Sequence, residues 1–395
     1  MKKLKKTMMK CLMEGSRMKF VSGLILIDAP HSALNMLGTD TSIADRNKMV
    51  VKKLKKGRTN YAYVSAQAWR YWWRQTLEEK FNWNTSPLEK VESKNQVYTN
   101  ANPIKHEDDD VFGYMRAVED LTVTRVSPLK NTPLISVLSD RNSVTSDFAN
   151  SSRHEGDPVI YESEFYSTVF KGAFSLDLEC VGNFSFKNKT GFRNLINFDK
   201  VIKEAGNSKA KNKKTRIKKL EKLRDITLWE EDYLKLAEEV CVSINDDFWL
   251  LRDEIRARRA RETIEALKYL TGGAKQTLFL TDITPKFVIL AIFDGGLNPF
   301  ITDIIQEDTG KIIFDETALI DRIRDYSDVV EPKKIYLGKD KGFMKEWDSK
   351  MINIKKEMEN GDNNGNESIQ VILGSVTEVI EQFSDEINEY YKVGT

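Results

Sequence analysis

The chain has 395 residues with 40% hydrophobic and 31% charged content and a net charge of +1 at pH 7. This is the balance of a water-soluble chain of one large domain or two to three smaller ones. No run approaches the roughly 20 apolar residues of a membrane helix, and the basic start "MKKLKKTMMKCLMEGSR" lacks the apolar core of a signal peptide, so a cytoplasmic protein without a membrane partner is expected. Three scattered cysteines (Cys11, Cys180, Cys241) and three histidines (His31, His106, His154) give no metal-ligand spacing, so neither a metal nor another cofactor is expected.

In chain order, "KFVSGLILID" (Lys19 to Asp28) predicts a strand buried on both faces. A long polar loop is expected from Ala29 to Asn60. Val64 to Lys80 predicts a helix capped by Ser65, without internal Gly or Pro. Asn82 to Asp110 carries turn signals and ends in the acidic cluster "HEDDD". "RVSPLKNTPLISVL" (Arg125 to Leu138) reads as extended structure broken by Pro128 and Pro133. Ser139 to Pro158 is polar, like a protruding loop or hairpin tip, and Ser163 to Phe186 suggests two paired strands. Phe198 to Leu270 reads as largely helical. Thr271 to Gly296 returns to strand character after a Gly-Gly turn. A low-complexity loop, Asn360 to Ser368, precedes an amphipathic helix from Ile369 to Tyr391. Strands early and late with helical material inserted between them imply an α+β fold.

The near-neutral total conceals charge segregation. Basic runs lie at Lys2 to Lys6, Lys52 to Arg58, Lys209 to Arg224 and Arg256 to Arg261, against an acidic C-terminal tail. Each run alone fits a solvated helix face; four together point to a polyanion met by local basic surface.

The helix from Ser65 holds the densest signal, "AWRYWWR". At roughly 100° per residue, Trp69, Trp72, Trp73 and Thr76 fall on one face. Gln67, Arg70, Arg74 and Glu78 fall on the other. Two guanidinium groups one turn apart suit successive phosphates, and the helix start at Ser65 adds backbone donors. The alternative is an exposed helix whose arginines pair with Glu78 or other acids. "HEDDD" (His106 to Asp110) is metal-like in composition only, and a solvated acidic turn is the simpler reading. The loop around Asp28, His31 and Asp40 could bind a metal or activate a nucleophile, or hold only turn-forming aspartates. "RNSVTSD" and "SSRHEG" have no triad spacing. "TGGAK" (Thr271 to Lys275) lacks phosphate-loop spacing and reads as a glycine turn allowing close backbone approach to a strand or phosphate.

In order, "SGLILIDAPHSALN", "YVSAQAWRYWWRQTL", "DDDVFGYMRA", "RVSPLKNTPLI", "EFYSTVFKGAFSLDL" and "GGAKQTLFLTDITPKFVI" cover much of Val21 to Ile289. In that sequence they resemble the backbone subunit of type I CRISPR effector (Cascade) complexes, the seventh CRISPR-associated family in its DevR-like, type I-B branch. The resemblance implies an RRM-like (ferredoxin-like) palm with a helical finger insertion and a thumb β-hairpin. It would place the first part of the palm at 18–197 with the thumb at about 139–158. Basic fingers would follow at 198–270, the last palm strand at 271–300, and a mixed extension with an acidic tail at 301–395. It implies a non-catalytic subunit that polymerises along a CRISPR guide RNA, grips its backbone irrespective of sequence and presents it to target DNA in antiviral defence. Partners would be the guide, the target DNA, further copies of the chain, a fifth-family subunit, a large subunit and a guide-processing endonuclease. The RNA-binding residues expected are Ser65, Gln67, Arg70, Arg74, Arg125, Lys130, Lys171 and Lys275. The basic insertion from Lys209 to Arg224 departs from a compact family member and has no assigned role.

Two alternatives stay open. Related backbone subunits of type III effectors cut RNA with an Asp after the first strand, and Asp28, Asp40 and Asp45 lie in the comparable region. A non-polymerising RNA-binding regulator would share the basic surface without forming a filament.

Overall fold

The computed structural model describes residues 18–39, 48–91, 96–118, 121–151, 155–157, 159–187, 189–196, 198–207, 213–226, 231–244, 247–360 and 368–394. The basic run Lys2 to Lys6, Asp40, Asp45, His154, most of the Asn360 to Ser368 loop and the start of the Lys209 run lie outside them. The fold is mixed α+β and divides into two units.

The first unit comprises Met1–Thr76, Lys130–Leu176 and Ile264–Ser384. Eight of its strands form one continuous path: β1 (Lys19–Ser32), β2 (Lys53–Lys56), β3 (Thr59–Val64), β4 (Leu134–Ser136), β5 (Val159–Asp177), β6 (Pro285–Asp294), β7 (Lys334–Lys339) and β8 (Gln370–Gly374). They lie in the order β8-β7-β6-β1-β5-β4-β3-β2 within one mixed sheet. Neighbours β1 and β6 run antiparallel and β7 and β8 parallel. Central β1 and β6 are buried over nearly their whole length, which is why both read as continuous apolar runs.

One sheet face carries Leu24, Leu26, Phe287, Ile289 and Leu337 against the helices Glu316–Asp325 and Trp347–Glu359. Trp347 meets Phe287 edge-on at 5.6 Å. The opposite face receives the tryptophan helix α1 (Ala66–Phe81) through Phe174. Gly23 lies under the Phe174 ring, and a Cβ there would come within 2.3 Å of it.

Four expectations change here. The Ala29 to Asn60 segment forms strands among its described residues, Met36–Thr39, Lys48–Val51 and β2. The basic run at Lys52 is largely a lysine-bearing edge strand turned back at Gly57 (φ +64), a composition that discourages further strand pairing. Ser163 to Phe186 does not fold back on itself. Val159–Asp177 is one long strand running through Gly172, whose missing side chain admits Leu134. The start of the expected C-terminal helix is β8, and the helix proper is Val376–Tyr390. "QVILG" is β-branched and apolar enough to join the sheet beside β7.

The second unit comprises Leu77–Leu129, Asp177–Thr263 and Asp385–Thr395. Its helices Phe198–Asn207, Lys213–Ile226 and Glu231–Val240 agree with the helical reading. Cys241–Ile244 and Phe248–Leu251 instead form strands with Asn183–Ser185. Phe184, Trp249 and Leu251 pack between them with Ile104 and Leu195.

The "HEDDD" cluster is not a solvated turn. Asp108, Asp109 and Asp110 are buried in a short helix, Glu107–Phe112. Asp108 accepts from the Ser86 N–H at 2.8 Å and Asp109 from the Asn102 N–H at 2.8 Å. Asp110 accepts from the guanidinium of Arg125, from Arg259 Nη1 at 2.7 Å and from the Gly182 N–H at 3.0 Å. The Arg256 to Arg261 run is likewise turned inward in part. Arg256 donates to the Val181 carbonyl at 2.8 Å, and Arg258 pairs with Glu107 and Glu262. A run of arginines on a helix supplies guanidinium groups to every side, and here backbone carbonyls and carboxylates collect several of them.

Candidate nucleic-acid interface

Helix α1 begins where Ser65 Oγ accepts the Ala68 N–H at 3.3 Å, an N-cap as the sequence implies. Trp69, Trp72, Trp73 and Thr76 are buried and Gln67 and Glu78 exposed. Trp69 and Trp73 stack at 5.2 Å, and Trp73 meets Phe174 edge-on at 5.3 Å. Trp69 Nε1 donates to the Thr132 carbonyl at 2.7 Å. The indoles therefore fix the helix's rotation about its axis.

Arg70 and Arg74 stand one turn apart at the boundary of the exposed face. Arg70 Nη1 donates to Asn131 Oδ1 at 2.9 Å, and Asn131 Nδ2 donates to the Ala66 carbonyl at 3.2 Å. Partial burial, and then the neighbouring Arg74 charge, lower the Arg70 pKa to about 10. Arg70 stays protonated at neutral pH, a largely buried cation held beside a second one.

Lys130 is exposed and next in sequence to Asn131, but its Nζ lies 5.4 Å from the centre of the Phe20 ring, which strand alternation from Gly23 puts on the sheet face opposite Phe174. Lys275 is half-buried at the Gly-Gly turn, with φ +56. That turn approaches helix α1, where the sequence suggests a strand or a phosphate. A Cβ on Gly272 would come within 2.5 Å of Trp72, and the Thr271 N–H reaches Thr76 Oγ1 at 3.4 Å.

Two expected residues do not join this group. Arg125 is buried, and each of its five N–H donors has a protein acceptor: Asp110 twice, Asn183, Asn194 and Cys180. It has no donor left for a phosphate. Lys171 is three residues from Phe174 on β5, so strand alternation sends it to the other sheet face. There its Nζ donates to the Ile305 carbonyl at 2.8 Å. Lys171 lines a cavity of about 670 Å³ with Lys56, Tyr61 and Asp303. Sequence reading missed Asn131, which ties Arg70 to the helix start; no local motif marks it.

Asp28 belongs to β1 and is half-buried, and burial raises its pKa against the opposing charge of Lys286. Among the described residues no group of three or more His, Cys, Asp or Glu side chains is placed to hold a metal ion. Also among them, no helix is long and apolar enough to cross a membrane.

The geometry defines a mixed α+β protein carrying a rigid, two-arginine helix beside a glycine turn. A family model described as the CRISPR-associated negative auto-regulator DevR/Csa2 matches residues 28–309, and the chain belongs to this family. No curated protein matches. Among solved structures, a chain of a CRISPR RNA-guided surveillance complex is similar at 12% identity and a TM-score of 0.43, covering 93% of this chain and 99% of that one. A chain of such a complex in a pre-nicking state gives 10% identity and a TM-score of 0.46 over the same shares. A type III-B Cmr-beta structure bound to cognate target RNA gives 12% identity and a TM-score of 0.26, covering 46% of this chain and 55% of that one.

Proposed function

We propose that this chain is a guide-RNA-binding backbone subunit of a type I-B Cascade effector. Its α1 helix grips the sugar-phosphate backbone, and copies of the chain polymerise along the guide and present it to target DNA. Membership of a CRISPR-associated family supports the setting. The observation that carries the binding site is the Arg70–Arg74 pair, two guanidinium groups one turn apart on a helix locked by buried indoles. A subunit that must accept every guide sequence needs phosphate contacts, not base-edge readout. Ser65, Gln67, Lys130 and Lys275 complete the proposed contact set. The sheet around β1, β5 and β6 would be the RRM-like palm. The antiparallel pairing of Val144–Ser151 with the first half of β5 would be the base of the thumb hairpin. In this reading the subunit is non-catalytic, and its partners are the other effector subunits.

The test is guide binding by an Arg70→Ala, Arg74→Ala double variant across a salt series. Affinity should fall, and the slope of log affinity against log salt should shrink by about 0.7 for each lost phosphate contact on a single strand. Unchanged affinity and slope would place the site elsewhere. The mass of protein bound to one long guide separates a regularly spaced filament from a lone regulator.

A further inference from the structure

Three backbone positions outside glycine adopt left-handed φ around one small surface of the first unit: His31 (+55), Lys275 (+56) and Leu280 (+45). A left-handed leucine is unfavourable, and such strain concentrates where a surface serves binding. This leucine is also 89% exposed, and Leu278 beside it is 69% exposed. The segment from Ala274 to Thr281 is strapped down at several points. The Ala274 N–H donates to the Leu34 carbonyl at 3.0 Å, Gln276 Nε2 reaches the Thr281 carbonyl at 3.2 Å, and Thr281 and Ser32 hydroxyls meet at 2.8 Å.

The strapped loop delivers the Phe279 ring to Phe165, which in turn faces His31. Phe279 lies 5.9 Å from Phe165 on β5 at an interplanar angle of 35°, and Phe165 lies 6.4 Å from His31. Phe165 and Phe279 are half-buried and His31 is exposed. His31 is held by Ser167, whose hydroxyl accepts its backbone N–H at 3.1 Å and lies 3.3 Å from its Nδ1. Tyr161, exposed, continues the same face of β5. At its other end the loop rests on the arginine helix, through Gly272 on Trp72 and Thr271 on Thr76.

We propose that Phe165, Phe279 and His31 form a stacking platform for bases of single-stranded RNA, rimmed by Leu278 and Leu280, at one end of a loop whose other end rests on the phosphate-binding helix. The inference rests on the guide-binding reading and adds to it where the bases go. Aromatic faces stack any base, so the platform preserves tolerance of sequence. Lys275, in the same loop, adds a cation to this surface.

The experiment compares two probes, oligouridylate and an abasic ribose-phosphate oligomer of the same length. The variants are Phe165→Ala with Phe279→Ala, Phe279→Leu, and Phe279→Trp, each checked for an unchanged melting temperature. The platform requires about 5- to 100-fold weaker oligouridylate binding in the double alanine variant. It also requires a smaller loss for Phe279→Leu, retention for Phe279→Trp, and no change on the abasic probe. Equal loss on both probes, or no loss on either, overturns the platform while leaving the arginine site standing. A change in self-association without RNA, with oligouridylate affinity intact, makes the patch a protein contact and overturns it too. If the wild-type chain binds neither probe, the guide-binding reading itself fails.

Discussion

The Arg259 guanidinium donates to the Asp110 carboxylate across 2.7 Å, where Arg259 is 2% and Asp110 0% exposed. Arg125 holds the same carboxylate from a second direction, and the Gly182 N–H from a third. Removing the carboxylate strands two buried cations. Asp110→Ala should therefore destabilise the second unit by about 3–5 kcal/mol, read as a lower urea midpoint for that unit. A shift within about 0.5 kcal/mol, the usual range for a surface change, would show that the network does not hold the unit together.

That network marks where the sequence stopped being legible. "HEDDD" and "RARRAR" each look solvated in isolation, and nothing local says that Asp110 and Arg259 meet across 149 positions. The same holds for Arg125, whose neighbours in sequence do not show that its donors are already taken. Helix α1 was legible because a period of 3.6 within one element separates Trp69, Trp72 and Trp73 from Gln67. β1 and β6 were legible because burial on both faces leaves an unbroken apolar run. β7 and β8 were not seen as parts of the same sheet, since strand pairing over such separations leaves no local pattern.

Trp73 is fully buried between Trp69 and Phe174, whereas Tyr71 on the same helix is 60% exposed. Trp73→Ala should cost about 3–5 kcal/mol through the cavity it leaves. Tyr71→Ala should stay within about 0.5 kcal/mol of wild type. Chemical denaturation of the two variants distinguishes them, and equal effects would mean that the indole face is not what anchors α1.

The thiols of Cys180 and Cys241 are pushed up to about 12 and about 11, in both cases chiefly by burial. At pH 8 the Cys180 thiolate should be about a thousand-fold rarer than that of a thiol at 9, and the Cys241 thiolate about a hundred-fold rarer. In a Cys11→Ser background, alkylation at pH 8 should be slow in native buffer and fast in urea. Both folded pKa values lie above the unfolded one. The protonated thiols' contribution to stability is therefore complete below pH 9 and lost as pH rises through 9 to 12. Rapid native alkylation at pH 8 would contradict this protection.

Lys171 tests the separation of the two sheet faces. Its pKa is lowered by burial first and by the Lys56 charge, with Asp303 opposing. A folded pKa below 10.5 means that the folded chain releases this proton before the unfolded chain does. Its charge therefore opposes folding most at neutral pH, and stability rises as pH climbs through the folded pKa toward 10.5. The stability of wild type relative to Lys171→Met should thus move in favour of wild type between pH 7 and pH 10, measured by urea unfolding at each pH. Guide affinity of Lys171→Met should meanwhile match wild type, because Nζ is held by the Ile305 carbonyl on the sheet face opposite Arg70 and Arg74. A loss of affinity comparable to that of the double arginine variant would move the RNA path onto the cavity side of the sheet.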